Sequence, residues 1–427
     1  MRPLPPIPEW VALEHEVARI LTKQELHGWH FDERSAWELA SALRSELEKT
    51  TKLLRDKHPF VKGSEFTPKR DNGSAGSVKG CTFTRLKETN VTSRDHISWI
   101  LQTFHGWKPT QKTPTGKPII DEIVLKEIAA SGGPEIALEF MKCLDITKKL
   151  GMISEGINAW LKLSTRSRIH HHCSVATSTH RCAHRKPNLA QVPSEHEFRE
   201  LFIPSPGQVM VGADLSGIEL RMLAHYLARY DAGRYADILL NGDIHQVNAD
   251  KIGISRRAVK TVSYAFLYGA GNTKIGHSFD PQLSESKAKK KGKEIREAFV
   301  AAIDGLAELL EAVKKKTTEQ GKLLAIDGRP LKVDSPHKAL NYLLQSSAGV
   351  IAKRWLVINQ QTIKETKLCC SQLAFVHDEL QFECDPKHAA DLSTSLVYSA
   401  AAAGEYYNLR IPIEAEAKQG KSWAEVH

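Results

Sequence analysis

Asp214 and Asp378 are the residues whose setting in the sequence best suits metal chemistry. Asp214 closes the apolar run VMVGAD, which reads as a buried strand, and the chain then passes straight into a helical period carrying Ile218, Met222 and Leu223. An acid at that junction stands at the edge of a sheet. Asp378 lies in LAFVHDELQFE, which alternates like a two-stranded hairpin with His377, Asp378 and Glu379 at the tight turn. Carboxylates on adjacent strand ends can clamp two divalent ions roughly 3.5–4 Å apart and so activate one oxygen and stabilise another in an in-line phosphoryl transfer. By itself the pairing is a weak signal, because acids at strand ends are usually surface residues.

A second set is more specific. Arg256, Lys260, Tyr264 and Tyr268 recur every four residues in SRRAVKTVSYAFLYGAG, while Val259, Val262 and Phe266 fall on the opposite side. On a helix the four span about 120° of one face over roughly 18 Å of rise. That face offers two cations and then two hydroxyl-bearing rings, the layout of a nucleoside triphosphate, with phosphates at one end and sugar and base at the other. The competing reading is an ordinary amphipathic helix with core tyrosines and solvated cations. Geometry alone leaves both open.

The elements that must position these residues are mostly helical. Residues 9–57 read as two helices separated by the turn GWHFD, and helical periods return from Ser93 to about Leu163. Between them, residues 58–92, including TPKRDNGSAGSVKG, show no apolar period and are expected to form an exposed loop. Residues 166–212 are polar and turn-rich, 225–320 largely helical, and 337–365 a further helix. No internal repeat is apparent.

Composition narrows the class. The chain has 427 residues, 41% hydrophobic and 26% charged, as in an ordinary globular protein of two or three domains. No stretch approaches a membrane span, and MRPLPPIPEW lacks the layout of a signal peptide, so a cytoplasmic location is expected, without a membrane partner. A net charge of +9 suits a polyanionic partner, with basic runs at Lys287–Arg296 and Lys314–Lys316 that read equally as solvated helix faces. Seven cysteines at irregular spacing point to reduced thiols. His170, His171, His172, Cys173, His180, Cys182 and His184 match no standard zinc spacing and read better as a basic loop near phosphates.

DLSGIELR, SRRAVKTVSYAFLYGAG and VHDE, in that order and at those intervals, resemble motifs A, B and C of the family A (polymerase I-like) DNA polymerases. THRCAHRKPNLAQVP, NGDIH and LNYLLQSSAG extend the resemblance, and the N-terminal helices, TGKPIIDE and the ending GKSWAEVH look like the phage replicative branch. The resemblance covers nearly the whole chain.

It implies a mainly helical α+β fold, a right-hand polymerase with an antiparallel palm sheet, helical fingers and a helical thumb. Residues 1–25 would be an N-terminal helix, 26–165 the thumb, 166–225 with 326–427 the palm, and 226–325 the fingers. The implied activity is template-directed extension of a primer 3′ end with dNTPs, with Mg²⁺ as two ions (Mn²⁺ as the alternative) and release of pyrophosphate. Carried over residue by residue, Asp214 and Asp378 would hold the metals with the carbonyl of Leu215, and Glu379 would be the accessory acid. Arg256, Lys260 and His245 would bind the triphosphate, with Lys260 protonating the leaving group. Tyr264 and Tyr268 would flank the incoming sugar and template base. Glu219 would lie beneath the sugar, exclude a 2′-hydroxyl and hydrogen-bond Tyr264. Arg181, Asn341, Gln345 and His377 would hold the primer-template minor groove and the primer end, where base-pair acceptors are nearly sequence-independent.

The departures matter too. The chain starts almost at the polymerase helices, so no intrinsic 3′–5′ exonuclease is expected, and a separately encoded exonuclease or other replisome proteins are candidate partners. The stretch 58–92 looks too short for a thioredoxin-binding insertion, so thioredoxin is not expected. In Thr179-His180-Arg181 a histidine replaces the usual glycine. A single-subunit RNA polymerase, a catalytically silent DNA-binding protein and a metal-dependent nuclease are the rival readings; the Arg-Lys-Tyr stripe argues against the last two.

Overall fold

The computed structural model describes residues 6–427 apart from 131, 176, 281, 282 and 284. Residues 1–5 of the expected N-terminal segment lie outside the described residues. The chain divides into two units, one formed by residues 1–35 with 160–427 and the other by residues 36–159.

The larger unit is built around a four-stranded antiparallel sheet. Its order is Cys370–Val376, Glu379–Cys384, Val209–Leu215, Ala415–Gly420. Val209–Leu215 is thus an inner strand paired on both sides, which is why its sequence is a nearly continuous apolar run rather than an alternating one. Gly212 is required within it: a Cβ there would lie 2.6 Å from the Gln381 amide and 2.7 Å from the Val426 carbonyl. The helices Glu9–His27 and Ala389–Tyr406 pack against the sheet, and the 28-residue helix Ala339–Thr366 packs on both of them and on Ile218–Leu227, with Leu343, Val350, Ile351, Trp355 and Leu356 buried in the core. Residues 225–320 fold as expected into successive helices, among them Ile244–Ile252, Arg256–Leu267, Glu285–Ala302 and Leu306–Gln320.

The helix Glu9–His27 belongs to this unit. Leu13, Val17, Ile20 and Leu21 enter the core, and Glu14 accepts hydrogen bonds from Lys353 Nζ at 2.8 Å on both carboxylate oxygens. Arg329 pairs with the same carboxylate. Lys353 is 1% exposed, so this pairing neutralises a cation that water cannot reach. The histidine-rich segment packs on the same helix: His170 Nδ1 lies 2.7 Å from the Glu25 carbonyl, His171 bonds Gln24 at 3.1 Å and His172 bonds Glu25 at 2.9 Å. These three rings are each held by protein groups.

The smaller unit holds its own core of Leu54, Val61, Ile97, Ile100, Leu125, Phe140 and Cys143. Helices Arg94–His105, Glu122–Ala130 and Ile136–Leu150 supply most of it. The loop expected over 58–92 is instead an antiparallel hairpin, Phe60–Phe66 with Phe83–Glu88. Of the thirteen residues in these two strands only Val61 is buried, and Glu65, Arg85 and Lys87 face water. A ribbon wet on both faces has no apolar alternation to read.

Candidate active site

The two acids come together as the strand pattern requires. The Leu215 N–H donates to the Asp378 carbonyl at 3.0 Å, and Asp214 stands opposite Glu379 across the central strand pair. The turn consists of His377 and Asp378, and Glu379 opens the next strand. His377 takes a left-handed backbone, φ 59°, to make that turn.

Electrostatics around the pair are dominated by missing hydration and by acid facing acid. Asp378 is pushed up to about 7, first by desolvation and then by the charges of Asp214 and Glu219. Asp214 still reaches solvent, yet the protein around it crowds out enough water to push its carboxyl up to about 6, with Glu379 adding repulsion. Two carboxylates in this condition fit a divalent cation, which would remove both penalties at once. Among the described residues no group of three or more His, Cys, Asp or Glu side chains is arranged to hold a metal, so a site here would draw on backbone oxygen as well.

Glu379 behaves differently. Burial favours its neutral form, but hydrogen bonds from His427, Trp423 and Gln381 outweigh that and hold it below the usual carboxylate range. Trp423 Nε1 donates at 2.5 Å, Gln381 Nε2 at 2.6 Å, and His427 Nδ1 lies 3.2 Å away. These three supports were not foreseen. Gln381 is two residues along the same strand, but nothing in the spacing of Trp423 and His427 points to Glu379.

Glu219 is 7% exposed, in the first turn of Ile218–Leu227. Its Oε1 accepts from Arg181 and, at 3.1 Å, from the Tyr268 hydroxyl. The expected partner was Tyr264. The helix Arg256–Leu267 stops just before Tyr268, which leaves the helical path and reaches Glu219. Tyr268 is pushed up to about 12 by burial and the Glu219 charge. Tyr264 lies with its ring 6.2 Å from the His245 ring, and its hydroxyl is raised by burial and by the charges of Glu219 and Asp378.

Ser255 caps Arg256–Leu267 by accepting from the Ala258 N–H at 3.2 Å. Val259, Val262 and Phe266 are buried and Arg256 and Lys260 are exposed, so the face divides as the sequence predicts. Asp243 caps the neighbouring helix Ile244–Ile252 and also accepts from Arg256 Nε at 2.6 Å. His245 sits in that helix with its Nδ1 buried and unpartnered, and burial, opposed by the Asp243 charge and helped by those of Arg256 and Lys260, lowers its ring below the usual imidazole range. His245, Arg256, Lys260 and Tyr264 are therefore one cluster.

Of the remaining expected residues, Arg181 is tied to Glu219, and Asn341 donates its amide to the Leu267 carbonyl at the end of the tyrosine-bearing helix. Gln345 lies one turn further along Ala339–Thr366 and is partly exposed. His377 has a buried, unpartnered Nδ1 and is lowered by burial and by the Arg181 charge.

Comparison with known proteins bears on the family and the fold. The profile of DNA polymerase family A matches residues 77–425. The DNA-directed DNA polymerases of Enterobacteria phage T3 and Escherichia phage T7 are each 32% identical over 98% of this chain and 70% of their own length. The polymerase domain of M. smegmatis Pol1, solved with DNA primer-template and dNTP, superposes with a TM-score of 0.78 at 22% identity, over 96% of this chain and 70% of that one. Its fold is the mainly helical α+β fold expected here. The chain belongs to DNA polymerase family A, an enzyme of the nucleotidyltransferase class.

Proposed function

We propose that this chain extends the 3′ end of a primer along a DNA template, using dNTPs and releasing pyrophosphate. The observation that carries the reading is the Asp214–Asp378 pair. Two acids on hydrogen-bonded strand ends, each pushed up by lost hydration and by other acids, are linked through Glu219 to the helix that bears the Arg-Lys-Tyr face. Family A DNA polymerases use divalent metals. Two Mg²⁺, or Mn²⁺, held by Asp214, Asp378 and the Leu215 carbonyl would activate the primer hydroxyl and stabilise the leaving oxygen.

The chain's own groups do the rest. Arg256, Lys260 and His245 bind the triphosphate, and Lys260 supplies a proton to the departing pyrophosphate. Tyr264 packs on the incoming sugar and Tyr268 on the template side. Glu219 closes the floor under the sugar and leaves no room for a 2′-hydroxyl. Arg181, Asn341, Gln345 and His377 hold the minor groove and primer end, and Glu379 is the accessory acid beside Asp378. Residues 26–165 act as thumb, 166–225 with 326–427 as palm and 226–325 as fingers. Primer-template DNA and dNTPs are the partners, with a separately encoded exonuclease or other replisome proteins as further ones, in the cytoplasm of a host cell. No described helix is long and apolar enough to cross a membrane.

The test is primer extension by the purified protein with one dNTP at a time. Addition of only the template-complementary nucleotide supports the reading; addition that ignores the template, or none with Mg²⁺ or Mn²⁺, refutes it.

A further inference from the structure

His180 stands where the family's usual glycine has no side chain, and the structure gives that side chain a specific connection. The residue adopts a left-handed backbone, φ 60°, a conformation that glycine takes freely and histidine takes at a cost. Its N–H closes a turn onto the Thr177 carbonyl at 3.1 Å, and Thr177 Oγ1 donates to the Arg181 carbonyl at 2.6 Å. Its imidazole then leaves the turn: Nδ1 lies 2.6 Å from Ser346 Oγ, a hydroxyl wholly buried in the helix Ala339–Thr366. Burial and the charges of Arg329 and Lys353 lower the ring to about 4, so it is a neutral hydrogen-bonding group at pH 7. Gly349, one turn beyond Ser346, lets the two backbones approach; a Cβ there would lie 3.2 Å from the His180 carbonyl and 3.4 Å from the Arg181 nitrogen.

The connection joins two residues of one task. Arg181 follows His180 directly, and Gln345 precedes Ser346 directly. We propose that His180 is a positioning residue: by pinning the Arg181 turn to Ser346, it holds the Arg181 guanidinium in register with Gln345 for the minor-groove acceptors of the primer-terminal base pair. The inference rests on the reading of Arg181 as a minor-groove contact. A strained backbone kept for an imidazole is explained if the imidazole sets where the arginine points. Glu219 then fixes the guanidinium from the other side.

The test uses primers ending in dG or in 3-deaza-dG, which lacks the minor-groove N3 acceptor, with nucleotide addition followed in a single turnover. The wild type is expected to lose about 30-fold on the deaza primer, the size of one charge-assisted hydrogen bond. Arg181→Ala should show no such loss. His180→Gly restores the unstrained backbone but removes the imidazole. Ser346→Ala removes the hydroxyl that pins the turn and keeps the histidine at position 180. Both should shrink the deaza penalty at least about 5-fold while primer-template affinity and thermal midpoint stay near wild type. If Arg181→Ala abolishes the penalty but both other variants keep it whole, the proposal for His180 is wrong and the Arg181 reading stands. If the wild type shows no penalty, or Arg181→Ala retains it, the Arg181 reading is wrong and the proposal falls with it.

Discussion

At the scale of single residues, Glu219 ties several groups of the candidate site together. One carboxylate oxygen takes both Arg181 and Tyr268, and the charge is felt at Asp214, Asp378 and Tyr264. Rejecting a ribose by clash and by an unpaired, desolvated hydroxyl reaches on the order of 10³-fold. Glu219→Ala should lower the ratio of dNTP to rNTP incorporation efficiency by about that factor, and an unchanged ratio would remove the role. Tyr264 supports a second expectation. Its hydroxyl can replace the hydrogen bond lost with a missing 3′-OH, so Tyr264→Phe should increase discrimination against dideoxynucleotides; equal chain termination by both proteins would contradict it. The types and spacing of these residues made the site legible in the sequence, since acids at strand ends and a four-residue stripe survive as patterns. The Glu219–Tyr268 bond was not legible, because it depends on the helix ending one residue before Tyr268. The supports of Glu379 were equally hidden, as Trp423 and His427 meet it only through folding of distant segments.

At the scale of elements, the inner strand Val209–Leu215 and the His377–Asp378 turn of the neighbouring hairpin set the chemistry of the acids, and this has a pH consequence. Asp378 is pushed up to about 7, whereas an unfolded carboxylate titrates near 4. Between those values the native state holds a proton that the unfolded state has released, so this group's contribution to stability is full below about pH 4 and is lost as pH rises through 7. Without divalent ions, Asp378→Asn should therefore melt a few degrees above wild type at pH 8, and the gap should shrink as pH falls below 7 and close only near pH 4; a gap independent of pH would contradict the assignment. The Glu9–His27 helix gives a second test. Glu14→Gln leaves Lys353 buried without its counter-charge, at a cost of about 3 kcal/mol, whereas Glu16→Gln, which breaks an exposed pair with Arg19, should cost under about 1 kcal/mol. Chemical denaturation of both variants checks the contrast. Val209–Leu215 was readable from its apolar run, and the hairpin around Asp378 from its alternation. The Phe60–Glu88 hairpin was not, because both of its faces carry charged side chains.

At the scale of the whole molecule, the ordered motifs and the supporting segments between them pointed to the family, and profile, relatives and fold agree with it. The assignment of thumb, palm and fingers extends that reading to function. Its most direct test concerns the aspartate pair, measured as single-turnover primer extension with Mg²⁺ alongside primer-template affinity. Asp214→Ala and Asp378→Ala should each reduce extension on the order of 10³-fold or more while affinity changes little, because on the two-metal proposal the acids serve the metals and not the duplex. Extension near the wild-type rate in either variant would contradict the two-metal account.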